Sequence, residues 1–166
     1  ILYRLVGSEM CIRDRFEIPM NVNEQVFSYA YKNGVETVLN PAPANKPSDI
    51  LLQNTSWFIP NEIEFEEIYG DIFNENNLLL FAKNVDTNVV VTLGEKGCAY
   101  IENNSVKIIK ADSVKAIDTT GAGDAFVGAF SFALASKLDI EECLKLALKK
   151  ATDSVTKKGT QSSYKN

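Results

Sequence analysis

The chain has 166 residues, of which 45% are apolar, and it carries a formal net charge of −5 at pH 7. This length suits one domain or part of a larger one, and the excess of acidic residues argues against nucleic acid as a partner. The absence of histidine excludes Ser-His-Asp and Cys-His catalysis and most zinc enzymes. Three cysteines without a disulfide spacing favour a reducing, cytoplasmic compartment, and no apolar run is long enough to span a membrane.

The first fifteen residues differ from the rest of the chain. They show no helical or strand-like pattern, and residues 5–15 back-translate into a transposase-type sequencing adapter. We therefore expect residues 1–15 to be an adapter translation rather than native protein. A short amphipathic N-terminal extension is the alternative. On the first interpretation native sequence begins at Phe16, in the middle of a gene.

From residue 16 onward, helical and strand-like patterns alternate. The predicted elements, in chain order, are a helix over 23–33, a strand over 35–39, a buried run at 57–59, helices over 62–69 and 71–83, a strand over 89–93, a hairpin of 98–101 with 106–109, a helix to about residue 136 and a helix over 139–154. This alternation indicates an α/β fold with a mostly parallel sheet that is covered on both faces. Sites in such sheets lie at the carboxyl ends of strands, where we expect the polar motifs after Leu39, after Ile59 and before Asp124.

The most informative motif is the run Asp-Thr-Thr-Gly-Ala-Gly-Asp-Ala-Phe over residues 118–126. An extended segment over residues 114–117 leads into its Gly-Ala-Gly turn, which opens an apolar helix. Such a turn presents backbone N–H groups and a helix N-terminus to an anion, with the carboxylate of Asp124 beside them. A carboxylate at an anion site is explained if the acid accepts a proton from a hydroxyl while the amides stabilise phosphoryl charge. A plain helix start with a favourable first-turn acid is the alternative.

This nine-residue run resembles the second signature of the ribokinase (PfkB) family of sugar and nucleoside kinases. Residues 16–166 are similar to the C-terminal half of such a kinase. The resemblance therefore implies a ribokinase-like three-layer α/β/α fold, truncated so that the N-terminal half and its β lid are missing. It also implies ATP as the phosphate donor, Mg²⁺ and K⁺ as cations, and a small sugar as the acceptor. A homodimeric parent protein is compatible with it.

The resemblance also assigns roles to positions of this chain. Asp124 is implied to be the catalytic base, which contacts the sugar hydroxyl, and Glu17 a second sugar contact. The amides of the turn are implied to form the anion hole, and their residues are Gly121, Ala122, Gly123 and Asp124. Nucleotide contacts are implied for Asn61, Thr92, Gly94, Gly97 and Gly123. Glu64 is implied to hold the Mg²⁺ water shell. The implied monovalent cation site, mostly of main-chain oxygen, comprises Asp118, Thr120, Ser154, Lys157, Gly159 and Ser163.

Alternatives remain for several of these assignments. The motif Asn61-Glu62-x-Glu64 is also typical of an ordinary capped helix start. Residues 154–164 could equally be a frayed C-terminal tail. Leu148 stands where ribokinases commonly place a polar side chain near the adenine.

The loop Asn-Pro-Ala-Pro-Ala at residues 40–44 is similar to that of ribokinases, so we expect D-ribose as substrate and ribose 5-phosphate as product. A fructokinase, an adenosine or other nucleoside kinase, or a non-catalytic nucleotide-binding protein on the same scaffold are the rivals. Without the sugar-binding half, the chain alone is expected to be unstable and inactive.

Overall fold

The computed structural model describes residues 11–159. Within that range the chain forms six strands, six helices and one 3₁₀ turn at Gly94–Lys96. The strands are β1 (Ile12–Arg15), β2 (Thr37–Asn40), β3 (Trp57–Phe58), β4 (Asn88–Thr92), β5 (Cys98–Glu102) and β6 (Ser105–Ile109). The helices are α1 (Met20–Lys32), α2 (Asp49–Gln53), α3 (Glu62–Tyr69), α4 (Glu75–Val85), α5 (Ala122–Ala135) and α6 (Ile140–Val155).

The strands form one six-stranded sheet in the order β1-β2-β3-β4-β5-β6. The first three pairings are parallel, with Ile12 opposite Thr37, Val38 opposite Trp57, and Phe58 opposite Val89. The connections from β4 to β5 and from β5 to β6 are too short for a parallel crossover, so these pairs are antiparallel. Asn103 and Asn104 both have positive φ, as a two-residue type I′ hairpin requires. The prediction of a mostly parallel α/β sheet with a terminal hairpin is confirmed.

The helix boundaries agree with the prediction at α3 and differ from it at three other helices. Helix α3 has the predicted bounds, and its N-cap Asn61 accepts a hydrogen bond from the Glu64 N–H. Helix α4 begins later than predicted because Asn74 caps it by accepting from the Asn77 N–H. Helix α1 begins three residues earlier than predicted, directly after Pro19. Helix α2 was missed, although Ser48 caps it and Asp49 is in its first turn.

Strand β1 corrects the expectation that residues 1–15 contain no strand. Residues 12–15, Ile-Arg-Asp-Arg, pair in parallel with β2 although three of the four side chains are charged. None of the four is buried, whereas three of the four residues of β2 are. Residues 1–10 lie outside the described part, so the adapter interpretation of the whole segment stays a prediction.

The chain divides into two compact units, residues 1–91 with 100–107, and residues 92–99 with 108–166. The first unit has an aromatic cluster in its core, in which Phe65 contacts Tyr69, Phe73 and Phe81, and Phe58 contacts Phe81. The second unit is built on helices α5 and α6, whose buried side chains include Phe126, Phe130, Cys143 and Leu144. Within residues 11–159, no helix combines the length and apolar character needed to cross a membrane.

One predicted relation between motif and strand is wrong. The polar motifs after Leu39 and Ile59 do follow strands β2 and β3 closely. The motif before Asp124 does not directly follow a strand, because β6 ends at Ile109 and residues 110–121 form irregular backbone. The start of α5 is held instead by hydrogen bonds to the end of α6, as described below.

Candidate active site

The start of helix α5 carries no side-chain cap. Its N-cap is Gly121, which adopts the left-handed conformation with φ 80°, and no side chain there accepts a hydrogen bond. Glycine suits this position because a Cβ would be strained at such a φ. Asp124 lies in the first turn, where the helix dipole favours a negative charge. The sequence Gly-Ala-Gly-Asp therefore builds a helix start without a side-chain cap.

The amides of this turn are not equivalent. The Ala122 N–H donates to the Thr119 carbonyl at 3.2 Å, which closes the turn. That amide is therefore occupied, and the prediction that it belongs to an open anion hole needs correcting. No partner for the Gly123 N–H occurs in residues 11–159, and no heavy atom lies within 4 Å of the place where its Cβ would stand. Gly123 therefore offers an N–H without a partner in the described residues, and there is open space where its Cβ would stand.

A cavity of about 700 Å³ in the second unit opens beside this donor. Ala122, Gly123 and Phe126 of α5 line it. The remaining lining comes from the 92–97 turn (Thr92, Gly94, Glu95, Lys96, Gly97), from residues 111–119 (Ala111, Asp112, Ser113, Val114, Ala116, Thr119) and from α6 (Leu148, Ala151, Thr152, Val155). The structure thus brings together four of the five predicted nucleotide contacts. Asp124 is in the same turn as Gly123 but is not among these lining residues.

Gly94 and Gly97 line this cavity for different physical reasons. A Cβ on Gly97 would lie 1.9 Å from the Ile109 carbonyl oxygen, so a side chain cannot be accommodated there. The resemblance implies a nucleotide contact for Gly97, and the neighbouring strand β6 already requires a glycine there. Gly94 has open space around it and a φ of 58°, so its backbone conformation is what favours glycine.

The segment that leads into α5 is fastened to the end of α6. The N–H groups of Ile117 and Asp118 both donate to the Val155 carbonyl, at 2.7 and 3.2 Å. The Asp118 carboxylate accepts from the Thr120 N–H and from the Gly159 N–H, each at 3.0 Å. These two hydrogen bonds hold the pKa of the Asp118 carboxyl below its usual value, and the bond from the Thr120 N–H has the larger effect. The loop before the anion donor is therefore positioned by hydrogen bonds rather than by a strand.

Part of the predicted monovalent cation site lies together in this loop. The Asp118 carboxylate is within hydrogen-bonding distance of the Thr120 and Gly159 N–H groups. The Lys157 N–H donates to the Ser154 carbonyl at 3.4 Å. The Ser154 hydroxyl donates to the Ala151 carbonyl. Ser163 lies outside the described residues. The Asp118 carboxylate is an oxygen donor, the kind of ligand that a hard cation prefers.

In the first unit, Asn61 and Glu64 form a capping box at the start of α3. Asn61 Oδ1 accepts from the Glu64 N–H, and Glu64 Oε2 accepts from the Asn61 N–H, both at 2.8 Å. The ordinary structural interpretation of this motif is thus realised. Each side chain still has one polar group, Asn61 Nδ2 and Glu64 Oε1, for which residues 11–159 show no hydrogen-bond partner. The capping role and the implied roles in phosphate and Mg²⁺ binding are compatible.

The environment of Glu64 affects its charge. The side chain is only 8% exposed, and this burial raises the pKa of its carboxyl, an effect that the Asn61 N–H and the positive charge of Arg15 partly offset. Within residues 11–159 no three acidic, histidine or cysteine side chains gather as a metal cluster. A Mg²⁺ ion keeps several waters and needs few direct carboxylates, so a single acid fits an outer contact with it.

Two other side chains, Glu17 and Cys98, carry groups that could bind a substrate or react with it. Glu17, the predicted sugar contact, is an exposed residue whose carboxylate pairs with the Arg15 guanidinium at 3.4 Å. Cys98 is buried, and burial raises the pKa of its thiol to about 12, so it is not a nucleophile at neutral pH.

Sequence reasoning placed Leu148 of α6 near the adenine but missed the other three α6 residues that line the cavity. Leu148, Ala151, Thr152 and Val155 follow the i, i+3, i+4, i+7 spacing of one helix face, which is normally taken as a core-facing stripe. Lys96, the one basic residue among those lining the cavity, was also missed. The signal for Lys96 was its place between Gly94 and Gly97.

A family model described as pfkB family carbohydrate kinase matches residues 17–166. The chain belongs to the pfkB family of carbohydrate kinases. It is 40% identical over 164 residues to a ribokinase of Haemophilus influenzae, covering 95% of this chain and 53% of that protein. It is 36% identical over 156 residues to a deoxyribokinase of Salmonella typhi, covering 90% of this chain and 51% of that protein. The chain thus spans about half the length of the curated relatives it matches.

Solved structures of the family confirm the fold. A ribokinase from Thermotoga maritima matches 98% of this chain and 56% of its own, with a TM-score of 0.85 and 29% identity. An Arabidopsis thaliana ribokinase complexed with ribose and ATP matches 92% of this chain and 52% of its own, with a TM-score of 0.85 and 28% identity. The predicted ribokinase-like three-layer α/β/α fold with a mostly parallel sheet is confirmed.

Proposed function

We propose that the complete protein to which residues 16–166 belong is an ATP-dependent sugar kinase that converts D-ribose to ribose 5-phosphate. The observation that carries this proposal is the uncapped start of α5, where the open Gly123 N–H lines a cavity and Asp124 occupies the same turn. Membership of a carbohydrate kinase family and the similarity to ribokinases support it. The similar Arabidopsis protein was solved with ribose and ATP. A cytoplasmic enzyme with no nucleic acid or membrane partner stays our prediction.

In this proposal Asp124 acts as the general base. Its carboxylate accepts the proton of the sugar's primary hydroxyl, and that oxygen attacks the γ-phosphorus of ATP as the bond to the β-phosphate oxygen breaks. ADP leaves on the side opposite to the attack. The Gly123 N–H and the positive end of the α5 dipole stabilise the charge on the phosphoryl oxygens. The turn therefore supplies both the base and the electrostatic stabilisation that phosphoryl transfer requires.

The remaining residues position the reactants. Asn61 Nδ2 would donate to a phosphate oxygen, and Glu64 would hold the water shell of Mg²⁺, which would neutralise phosphate charge. Asp118 and the carbonyls near it would hold K⁺, which would supply positive charge beside the loop before α5. Residues 92–97 contact the ribose and phosphates of the nucleotide, and Glu17 contacts the sugar.

A panel of acceptors tests the substrate. The complete kinase is incubated with ATP and, separately, with D-ribose, 2-deoxy-D-ribose, fructose and adenosine, and ADP release is measured. We expect the largest kcat/KM with D-ribose. A preference for fructose or adenosine would refute the assignment of D-ribose as the substrate, but the proposal that the protein is a kinase would stand. Nucleotide binding without phosphate transfer to any acceptor would support a non-catalytic protein instead.

Deoxyribose is the second candidate acceptor. The relative of Salmonella typhi, a deoxyribokinase, is almost as similar to this chain as the ribokinase of Haemophilus influenzae is. Ribose and 2-deoxyribose share the primary hydroxyl that would receive the phosphoryl group. The two outcomes are separated by the ratio of kcat/KM values for the two pentoses.

We also propose that the 166-residue chain alone does not phosphorylate sugar. Most sugar contacts of such a kinase are expected outside these residues, so Asp124 would have no aligned hydroxyl to deprotonate. Sustained ADP release by residues 16–166 in the presence of ribose would contradict this.

Finally, we propose that residues 1–15 are not native. Strand β1 has three charged residues in four and no buried side chain. Next to it, Asn23 is fully buried and donates to the Arg15 carbonyl, while its Oδ1 has no partner among the described residues. A native residue in this strand is expected to supply that missing donor. Sequencing the template across the junction of Arg15 and Phe16 tests this, and an unbroken genomic reading frame through codons 1–15 would refute it.

A further inference from the structure

The α6 wall of the cavity contains one polar side chain. Leu148, Ala151 and Val155 are apolar, and Thr152 lies among them with its side chain partly exposed. Hydroxyl groups in helices usually donate to a carbonyl three or four residues earlier. In this chain Ser131, Ser136, Ser154 and Thr156 all do so, to Val127, Phe132, Ala151 and Asp153.

The Thr152 hydroxyl differs from these four. No hydrogen bond of its hydroxyl is found within residues 11–159, although the Leu148 carbonyl lies one turn before it on the same helix. The hydroxyl belongs to a residue that lines the 700 Å³ cavity. A polar group that faces an otherwise apolar wall and has no protein partner is available to a ligand.

The place of Thr152 along α6 indicates which part of a nucleotide it meets. Four residues connect α5 to α6, so the two helices run antiparallel. The Val155 end of α6 therefore lies beside the segment that leads into the start of α5, as the bonds from Ile117 and Asp118 show. Along the helix axis Thr152 lies about 4.5 Å from Val155, which is at the phosphate end. Leu148 lies about 6 Å beyond Thr152 in the same direction, away from the phosphate end.

A nucleobase has apolar faces and a polar edge, which suits a wall of Leu148, Ala151 and Val155 with one hydroxyl in it. Leu148 cannot form a hydrogen bond with the base. We propose that Thr152 provides the hydrogen bond to the edge of the nucleobase that Leu148 cannot provide, and is thus a binding determinant for the nucleoside part of the phosphate donor. This inference rests on the proposed function, since it takes the cavity as the nucleotide site.

The test compares ADP binding to the complete kinase by isothermal titration calorimetry. Thr152→Val keeps the side-chain shape and removes the hydroxyl, and we expect the dissociation constant for ADP to rise roughly 3- to 10-fold. Thr152→Ser keeps the hydroxyl, and we expect it to bind ADP within about twofold of the unaltered protein, on the same reasoning. Thr156→Val is the matched control at the C-cap of the same helix, because its hydroxyl donates to the Asp153 carbonyl and it does not line the cavity. It should leave ADP binding unchanged.

Two further ligands distinguish a contact of Thr152 with the nucleobase from a contact with the ribose 2′-hydroxyl or the phosphates. The loss in Thr152→Val should be the same for 2′-deoxy-ADP and absent for tripolyphosphate, which has no nucleoside. Unchanged ADP binding in Thr152→Val would overturn the proposal, as would an equal loss for tripolyphosphate or no loss for 2′-deoxy-ADP. An unaltered protein that binds ADP but transfers no phosphate refutes the proposed function and leaves the Thr152 assignment supported by its own binding series.

Discussion

Helices α3 and α5 begin in opposite ways. At α3 the side chains of Asn61 and Glu64 satisfy each other's backbone N–H groups. At α5 the N-cap is a glycine, which has no side chain to cap the first turn, and the Gly123 N–H has no partner among residues 11–159. A helix start that its own side chains satisfy contributes mainly stability. One that is left uncovered beside a cavity has lost that stabilisation and is suited to bind an anion.

The comparison also separates two means of contacting a phosphate. At α3 the capping box occupies the Asn61 and Glu64 N–H groups, and the side-chain atoms Asn61 Nδ2 and Glu64 Oε1 remain available. At α5 the Gly123 N–H is available, and open space lies where a Cβ of Gly123 would stand. Changes in side-chain chemistry should therefore alter nucleotide binding at the start of α3, whereas an added Cβ should alter nucleotide binding at the start of α5. The predictions below test this difference in the complete kinase.

The largest effect is expected from Asp124→Asn. Asparagine cannot accept the proton of the sugar hydroxyl, so we expect kcat to fall by roughly 10²–10⁴ while ADP affinity changes little. Initial rates of ADP release at saturating ATP and ribose measure this. Asp139→Asn is the matched control, because Asp139 caps α6 and asparagine caps equally well. Near-full turnover by Asp124→Asn would remove Asp124 from the mechanism.

A smaller effect is expected from Gly123→Ala. The added methyl group would occupy space beside the amide that is open in this structure and would hinder a phosphate oxygen from reaching the N–H. ADP affinity should therefore fall about tenfold or more, the cost of a hydrogen bond to a charged group. Stability should not fall, since alanine is favoured over glycine in a helix by roughly 0.5–1 kcal/mol. Calorimetric titration with ADP and urea unfolding of the same variant measure both quantities. Unchanged ADP affinity would contradict the assignment of this amide.

A third prediction concerns Asn61→Asp at the start of α3. Aspartate caps a helix about as well as asparagine, so the urea midpoint should stay the same. It replaces the Nδ2 donor by a negative oxygen, so ADP affinity should fall several-fold if Asn61 contacts phosphate. Asn61→Ala should instead lower the unfolding free energy by about 1 kcal/mol. If Asn61→Asp and the unaltered protein bind ADP equally well, the side chain is only a cap.

The smallest effect on stability is expected from Glu64→Gln. Glutamine preserves the capping box, and it removes a charge whose burial raises the pKa of Glu64 above 4.5. A carboxyl with a raised folded pKa stabilises the protein less as pH rises through that pKa. The variant should therefore be at least as stable as the unaltered protein at pH 7, and the difference should narrow as pH falls toward 4.5. Urea midpoints at several pH values check this.

Catalysis provides the independent measure for Glu64. If Glu64 holds the Mg²⁺ water shell, the Mg²⁺ concentration needed for half-maximal activity should rise in Glu64→Gln although its stability is intact. An unchanged Mg²⁺ dependence would leave Glu64 as part of the cap alone.

The sequence predicted best what local chemistry determines. The capping box set the bounds of α3, and the paired asparagines set the β5–β6 hairpin. Strand β1 could not be predicted, because its pairing with β2 is a tertiary interaction and its residues, Ile-Arg-Asp-Arg, show no alternation of apolar and polar side chains. Helix α2 has only five residues, too few for a periodic pattern.

The candidate site was predicted in its residues more than in its geometry. The glycines of residues 94–97 and 121–123 carried recognisable turn chemistry, and Gly94, Gly97 and Gly123 do line one cavity. The occupied Ala122 amide and the Asp118 bonds to Thr120 and Gly159 depend on how the chain folds back on itself. The α6 face could not be assigned, because an apolar stripe has the same spacing whether it lines a core or a cavity.

The central claim is that the uncovered start of α5 binds the phosphates of the donor. It is tested most directly by the backbone amide resonances of the ¹⁵N-labelled complete kinase during titration with ADP or a non-hydrolysable ATP analogue. We predict that the Gly123 amide shifts in proportion to nucleotide saturation, while the Glu64 amide, already bonded to Asn61, shifts far less. A Gly123 amide that stays in place at saturating nucleotide would contradict the account.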